Sequence, residues 1–238
     1  MSRKGKLIVF LGPVGVGKST IIRYLIQRLK MQKVKVSYEF IKYFHGPSYI
    51  LWTFVTFIIL GIKQRKRAYA PWLILNKSGY INLAKKLTFL SMILDTFFSI
   101  PLKLIKITLL KNLGYYVFCE EYLYSTIIDY KGGIVGYKIN NKLAKFIIFT
   151  LGVLLSKYKP DIVIVLTANI SELVKRWAIR GYGEPQLSYV KNQYTFINAL
   201  INKLHELNTY YIVIDTTNLS IDETVDKVLS SIFIDRDM

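Results

Sequence analysis

Gly12-Pro13-Val14-Gly15-Val16-Gly17-Lys18-Ser19 has the complete G-x-x-x-x-G-K-[ST] spacing. Each residue type meets a need of one kind of ligand. Glycines let successive backbone N–H groups turn inward around a phosphate, and a helix opening through Lys18, Ser19 and Thr20 aims its positive end at the same anion. Lys18 reaches the outer phosphates of a nucleoside triphosphate, and the Ser19 hydroxyl suits Mg²⁺. The loop therefore implies a nucleoside triphosphate with Mg²⁺. Carboxylates follow at Glu39 and at Glu120-Glu121. A carboxylate at the end of a strand can hold Mg²⁺ through water or accept a proton from an attacking hydroxyl, so Glu39 and Glu120 are candidates for either role.

These residues need elements to position them. Lys6 to Leu11 is a continuous apolar run of the kind that forms a buried strand, and Ile21, Ile22, Leu25, Ile26 and Leu29 then repeat at helical period. Residues 33–40 alternate like a strand, and 115–120, 161–168 and 210–217 are three more strand candidates. Helical patterns occupy 140–157, 170–180, 186–207 and 220–232. This rhythm predicts an α/β fold of the P-loop type, a five-stranded parallel sheet flanked by helices. Residues 46–112 break it with apolar, basic, helical material, so the expected organisation is one domain over 1–238 carrying a helical insertion after the second strand. Strand ends at the carboxyl edge of such a sheet face the ligand crevice.

The stretch "CEEYLYSTIIDYKGG", 119–133, resembles the third-strand motif of the thymidylate kinase family. Glu120 takes that motif's Asp position, Glu121 its Arg position, Tyr122 the aromatic, Ser125-Thr126 the Ser-Thr pair and Gly132-Gly133 the glycines. "SYEF" sets Glu39 where the family has the Glu of Arg-Glu-Pro-Gly, and 159–181 resembles its Pro-Asp strand, helix and lid. The resemblance implies an ATP-dependent kinase in which Ser19 and Glu120 organise Mg²⁺, Glu39 orients or deprotonates the acceptor, and a basic lid closes over the transferring phosphoryl group. Arg176 and Arg180, one helical turn apart before Gly181 and Gly183, are the lid arginines on that reading and would offset developing negative charge. The departures concern the acceptor. Glu121 stands where the family arginine grips an acceptor phosphate, and a carboxylate there repels a phosphate monoester. The Pro-Gly-Gly after Glu39 is absent, and Asp129-Tyr130 replaces the family's Tyr-Gln. The acceptor class stays open between a nucleoside and a nucleoside monophosphate.

Composition bounds the alternatives. The 238 residues are 52% hydrophobic and carry 33 Lys and Arg against 15 Asp and Glu, a net charge of +18. That excess favours a polyanionic partner: nucleotide, nucleic acid or an anionic membrane. A stretch of interleaved basic and aromatic residues of the nucleic-acid-binding kind is absent, which disfavours nucleic acid. One cysteine, Cys119, excludes an internal disulfide. The apolar stretch at the N-terminus is too short for a signal peptide, and 46–62 falls short of a bilayer span. A cytoplasmic protein is expected, with 48–67 a candidate peripheral contact to a membrane because "KQRKR" follows an apolar helix. Pairing of two copies is left open. The competing readings are an NTPase associated with membrane or nucleic acid, and a degenerate kinase that binds nucleotide without turnover.

Overall fold

The computed structural model describes residues 5–61, 71–139, 141–179 and 187–233. Strands β1 (Leu7–Leu11), β2 (Val36–Phe40), β3 (Tyr116–Glu120), β4 (Ile162–Thr167) and β5 (Tyr211–Asp215) form one sheet in the order β2-β3-β1-β4-β5, every pair parallel. The helices are α1 (Lys18–Met31), α2 (Pro47–Leu60), α3 (Pro71–Lys77), α4 (Ile81–Leu94), α5 (Ile100–Asn112), α6 (Leu123–Gly136), α7 (Lys142–Lys157), α8 (Ile170–Ile179), α9 (Leu187–Glu206) and α10 (Ile221–Phe233). A π-helical turn, Asp95–Ser99, joins α4 to α5. The five-stranded parallel sheet and the helical segment between β2 and β3 agree with the sequence reading. The strand expected over 33–40 begins only at Val36. Lys33, in the left-handed region at φ +58, closes the C-terminal end of α1, and the Val34 amide donates to the Leu29 carbonyl.

The chain divides into two compact units. The first comprises 1–40, 107–122 and 159–238 and contains the whole sheet. All five residues of β1 are buried, as a central parallel strand requires. Register then decides what each face carries. Phe10 lies opposite Glu120 on one side and Ile164 on the other. Ile8, Phe10, Phe118, Ile162, Ile164 and Ile214 therefore share one face, where they pack against Ile21, Ile22, Leu25 and Leu29 of α1 and Val225, Val228 and Ile232 of α10. Glu120 is the last residue of β3 on that face, the one that α1 covers.

The second unit comprises 41–106 and 123–158 and is helical. Its centre holds Tyr43, Phe44, Trp52, Trp72 and Tyr130, with ring centroids 4.6–6.5 Å apart. Asp95 is buried among them. Its carboxylate accepts from the Phe44 amide at 2.9 Å, from Ser48 Oγ at 2.5 Å and from the Tyr130 hydroxyl. Burial raises the Asp95 pKa above the ordinary carboxylate value although these bonds oppose the shift, and it raises Tyr130 as well. The π turn has a local cause. Pro101 cannot donate to the carbonyl four residues back and its ring crowds that carbonyl, and widening the preceding turn relieves the contact. The helix thus continues through a proline that ordinarily ends one.

Candidate functional site

The phosphate loop runs from β1 into α1 within the first unit. Gly12, Gly15 and Gly17 have φ of +149°, +94° and +106°. Gly12 is the most restrictive, because a Cβ there would lie 2.4 Å from the Leu166 carbonyl oxygen. Gly17 caps α1, and the Ile21 amide donates to its carbonyl at 2.9 Å. The Val14 amide, on the loop's other limb, donates to Gln193 Oε1 of α9 at 2.8 Å.

Lys18 is almost fully buried. Its ammonium donates to the Gly12 and Pro13 carbonyls at 2.7 and 3.1 Å and pairs with Glu121 at 3.3 Å. Glu121 reaches it by a turn of the backbone. It follows the last residue of β3 with φ +61°, and its amide still donates to the Phe10 carbonyl. The sequence reading set Glu121 against an acceptor phosphate. In the structure this carboxylate instead faces the lysine of the phosphate loop, because a left-handed residue reverses the direction in which an extended one would project.

Ser19 Oγ donates to Glu120 Oε1 at 2.8 Å, and the Tyr38 hydroxyl donates to Glu120 Oε2 at 3.1 Å. Strand alternation accounts for both bonds. Tyr38, Phe118 and Glu120 occupy the sheet face covered by α1, whose first turn carries Ser19. Burial and the Glu120 charge push the Tyr38 pKa far up, which keeps its hydroxyl a donor to Glu120. A hydroxyl beside a buried carboxylate is a donor set that Mg²⁺ accepts, since this ion keeps most of its water and takes one or two protein oxygens plus phosphate. Ser19 and Glu120, the residues expected at the metal, supply these two oxygens; among the described residues, no group of three or more His, Cys, Asp and Glu could hold a metal. Glu39 is buried but lies opposite Cys119, one residue out of phase with Tyr38, so it leaves the sheet on the face away from Glu120. The two carboxylates expected to converge are thus carried on opposite faces.

Arg176 is held in place by four hydrogen bonds. Its Nε donates to Glu172 Oε1 at 2.9 Å, Nη1 to the Val16 carbonyl at 3.2 Å and to Thr216 Oγ1 at 2.9 Å, and Nη2 to the Thr216 carbonyl at 2.8 Å. Four of the five guanidinium N–H groups are thereby committed to protein oxygens. The guanidinium lines a cavity of about 410 Å³ with Gly15, Thr20, Thr216, Leu219 and Ile221. Thr216 is a site residue that sequence reasoning passed over. It lies just beyond β5, and its backbone and hydroxyl are fixed by the Thr167 carbonyl at the end of β4. Only the pairing of two strands far apart in sequence brings it there. Tyr38 was readable as part of an alternating strand, but nothing local singled it out. Arg180, Gly181 and Gly183 lie outside the described residues, as does 63–67.

The class of protein follows from loop, register and strand order together: an α/β P-loop fold. Its likeness to solved structures narrows the class. Thymidylate kinase from Candida albicans superposes with a TM-score of 0.53 at 17% identity, over 99% of this chain and 94% of that one. Deoxyadenosine kinase from M. mycoides with bound dCTP superposes with a TM-score of 0.55, also at 17% identity, over 95% and 98%. The fold is that of thymidylate kinase-like P-loop kinases. No family model and no curated protein matches the sequence.

Proposed function

We propose that this chain is a kinase that transfers the terminal phosphoryl group of ATP to a hydroxyl of a small acceptor, a nucleoside or a nucleoside monophosphate. One observation carries the reading: Lys18, Ser19 and Glu120 converge at the mouth of a complete phosphate loop. The loop amides and Lys18 hold the triphosphate tail. Ser19 and Glu120 hold Mg²⁺, which when bound neutralises charge on the outer phosphates. Tyr38 fixes the Glu120 carboxylate so that it does not reorganise as the substrate arrives. Glu39, at the end of β2 on the face away from Glu120, is the group proposed to orient or deprotonate an acceptor approaching from that side. Arg176 is given a different part here from the lid role that the resemblance implies. Its committed guanidinium plane serves as a wall for the nucleobase in the adjoining cavity, and phosphoryl stabilisation falls to Arg180.

The test is transfer of labelled phosphate from ATP across a panel of nucleosides, nucleoside monophosphates and polar lipids, with and without Mg²⁺. A labelled product from a nucleoside or its monophosphate, lost in Lys18→Ala, is the expected result. ATP hydrolysis stimulated only by nucleic acid or vesicles, with no transfer, overturns the reading in favour of an NTPase. Nucleotide binding without turnover on any acceptor overturns it in favour of a degenerate kinase.

A further inference from the structure

Charge is distributed very unevenly along the chain. The segments 41–106 and 123–158 contain fifteen Lys and Arg but only two carboxylates, Asp95 and Asp129. Asp95 is buried. Thirteen of the eighteen net positive charges therefore belong to these segments, and almost nothing on their surface offsets them.

Helix α7 has an unusual section. Its sequence, KLAKFIIFTLGVLLSK, has no acidic residue and carries lysines at both ends. One stripe, Ala144, Ile147, Leu151 and Leu155, is buried, as a packed helix requires. The opposite stripe is also apolar: Leu143, Phe146, Phe149 and Val153 are exposed, Phe149 to 67%. A helix apolar on both faces is ordinarily buried on both. Lys142 and Lys145, also exposed, flank this outward stripe. Beside the start of the helix, Lys85 and Lys86 of α4 line a basic cavity of about 530 Å³ with Asn82, Phe89, Ile139 and Asn141.

We infer that α7, with the lysines of α4 beside it, docks this protein on an anionic lipid surface: the Leu143–Val153 stripe enters the interface while Lys142, Lys145, Lys85 and Lys86 meet acidic headgroups. The chemistry selects a bilayer over other occupants. The partner must be apolar beneath the helix and negatively charged around it, which describes an acidic lipid interface. A second copy fits poorly, because two-fold pairing of α7 sets lysines against lysines with no carboxylate on either helix. Nucleic acid would satisfy the lysines and stack bases on the phenylalanines, but it would leave the exposed aliphatic Leu143 and Val153 without an apolar partner. The helix lies along the interface and does not cross it: among the described residues, none is long and apolar enough to span a membrane.

The experiment uses the full chain and vesicles of phosphatidylcholine, alone or with one third phosphatidylserine. Co-sedimentation with the acidic vesicles only, weakened at high salt, is expected. Lys142→Gln with Lys145→Gln lowers partitioning roughly tenfold or more. The emission added by a Phe149→Trp reporter, taken as the difference from wild type so that Trp52, Trp72 and Trp177 cancel, shifts to the blue when acidic vesicles are added, and this reads contact at the stripe itself. Recovery of the wild-type chain in the supernatant overturns the proposal. So does sedimentation of the Phe149→Trp variant with an emission that does not move, since another surface would then be responsible. A blue-shifted reporter in a dimer without vesicles overturns it in favour of self-association. The measurement needs neither ATP nor acceptor, so its failure and failure of the kinase reading are separate outcomes.

Discussion

Lys18 and Glu121 form a buried ion pair in a loop built to receive anions, and the pair competes with a phosphate for the same ammonium. Glu121→Gln removes that competition without changing shape. ATP affinity is expected to rise by roughly threefold to tenfold with turnover little altered, read as a lower KM for ATP. Glu121→Arg has the opposite outcome. It brings a second cation against Lys18, so nucleotide binding and stability fall together, and no gain with a monophosphate acceptor follows. Lys18→Ala removes a donor aimed at developing charge, and turnover drops by about 10²–10³ in steady-state assays. Glu120→Gln keeps the bond from Ser19 but loses the negative charge. Activity then falls by roughly 10²-fold at fixed Mg²⁺ and recovers partly as Mg²⁺ is raised, in a titration that wild type saturates earlier.

At the scale of elements, the loop depends on how closely β1 and β4 approach. Gly12 sits where they meet, and a methyl group there collides with backbone, which cannot move aside as a side chain can. Gly12→Ala is expected to cost about 2 kcal/mol and to lower the melting temperature by roughly 4–8 °C. Because the strain lies in the phosphate loop itself, nucleotide affinity falls with stability in the same variant. Arg176 ties α8 to both the loop and the end of β5. Lys in its place keeps the charge but loses the fork that bridges Val16 and Thr216. Weaker ATP binding with acceptor KM unchanged is the outcome that distinguishes a base-side wall from a phosphoryl-stabilising group.

For the molecule as a whole, the buried Asp95 links the helical unit to pH. Its folded-state pKa is raised, so the folded state holds the proton more tightly than the unfolded chain does. Stability from this group is therefore greatest in acid and declines as pH rises from about 4, the unfolded value, up through the raised folded value. Asp95→Asn removes that decline and keeps one oxygen for Tyr130 and the Phe44 amide, while its NH2 group replaces the acceptor that Ser48 used. Urea midpoints measured between acid and neutral pH should fall more steeply for wild type than for the variant. Parallel profiles would show that Asp95 titrates normally.

Much of this was legible in residue order alone. Periodicity determined the five strands and the bounds of α7 to α10 to within two residues, and the glycine-lysine spacing determined the phosphate loop, because these depend on backbone conformation and on neighbours within a turn or two. Strand alternation even implied that Tyr38, two residues from the end of β2, would share a face with Phe40 and not with Glu39. Tertiary structure decided the rest. Whether Glu121 met an acceptor or Lys18, which oxygens took up Arg176, and where Glu39 pointed relative to Glu120 all depend on register between segments distant in the chain. A one-residue shift in such a register exchanges the two faces of a strand, and no local pattern specifies it.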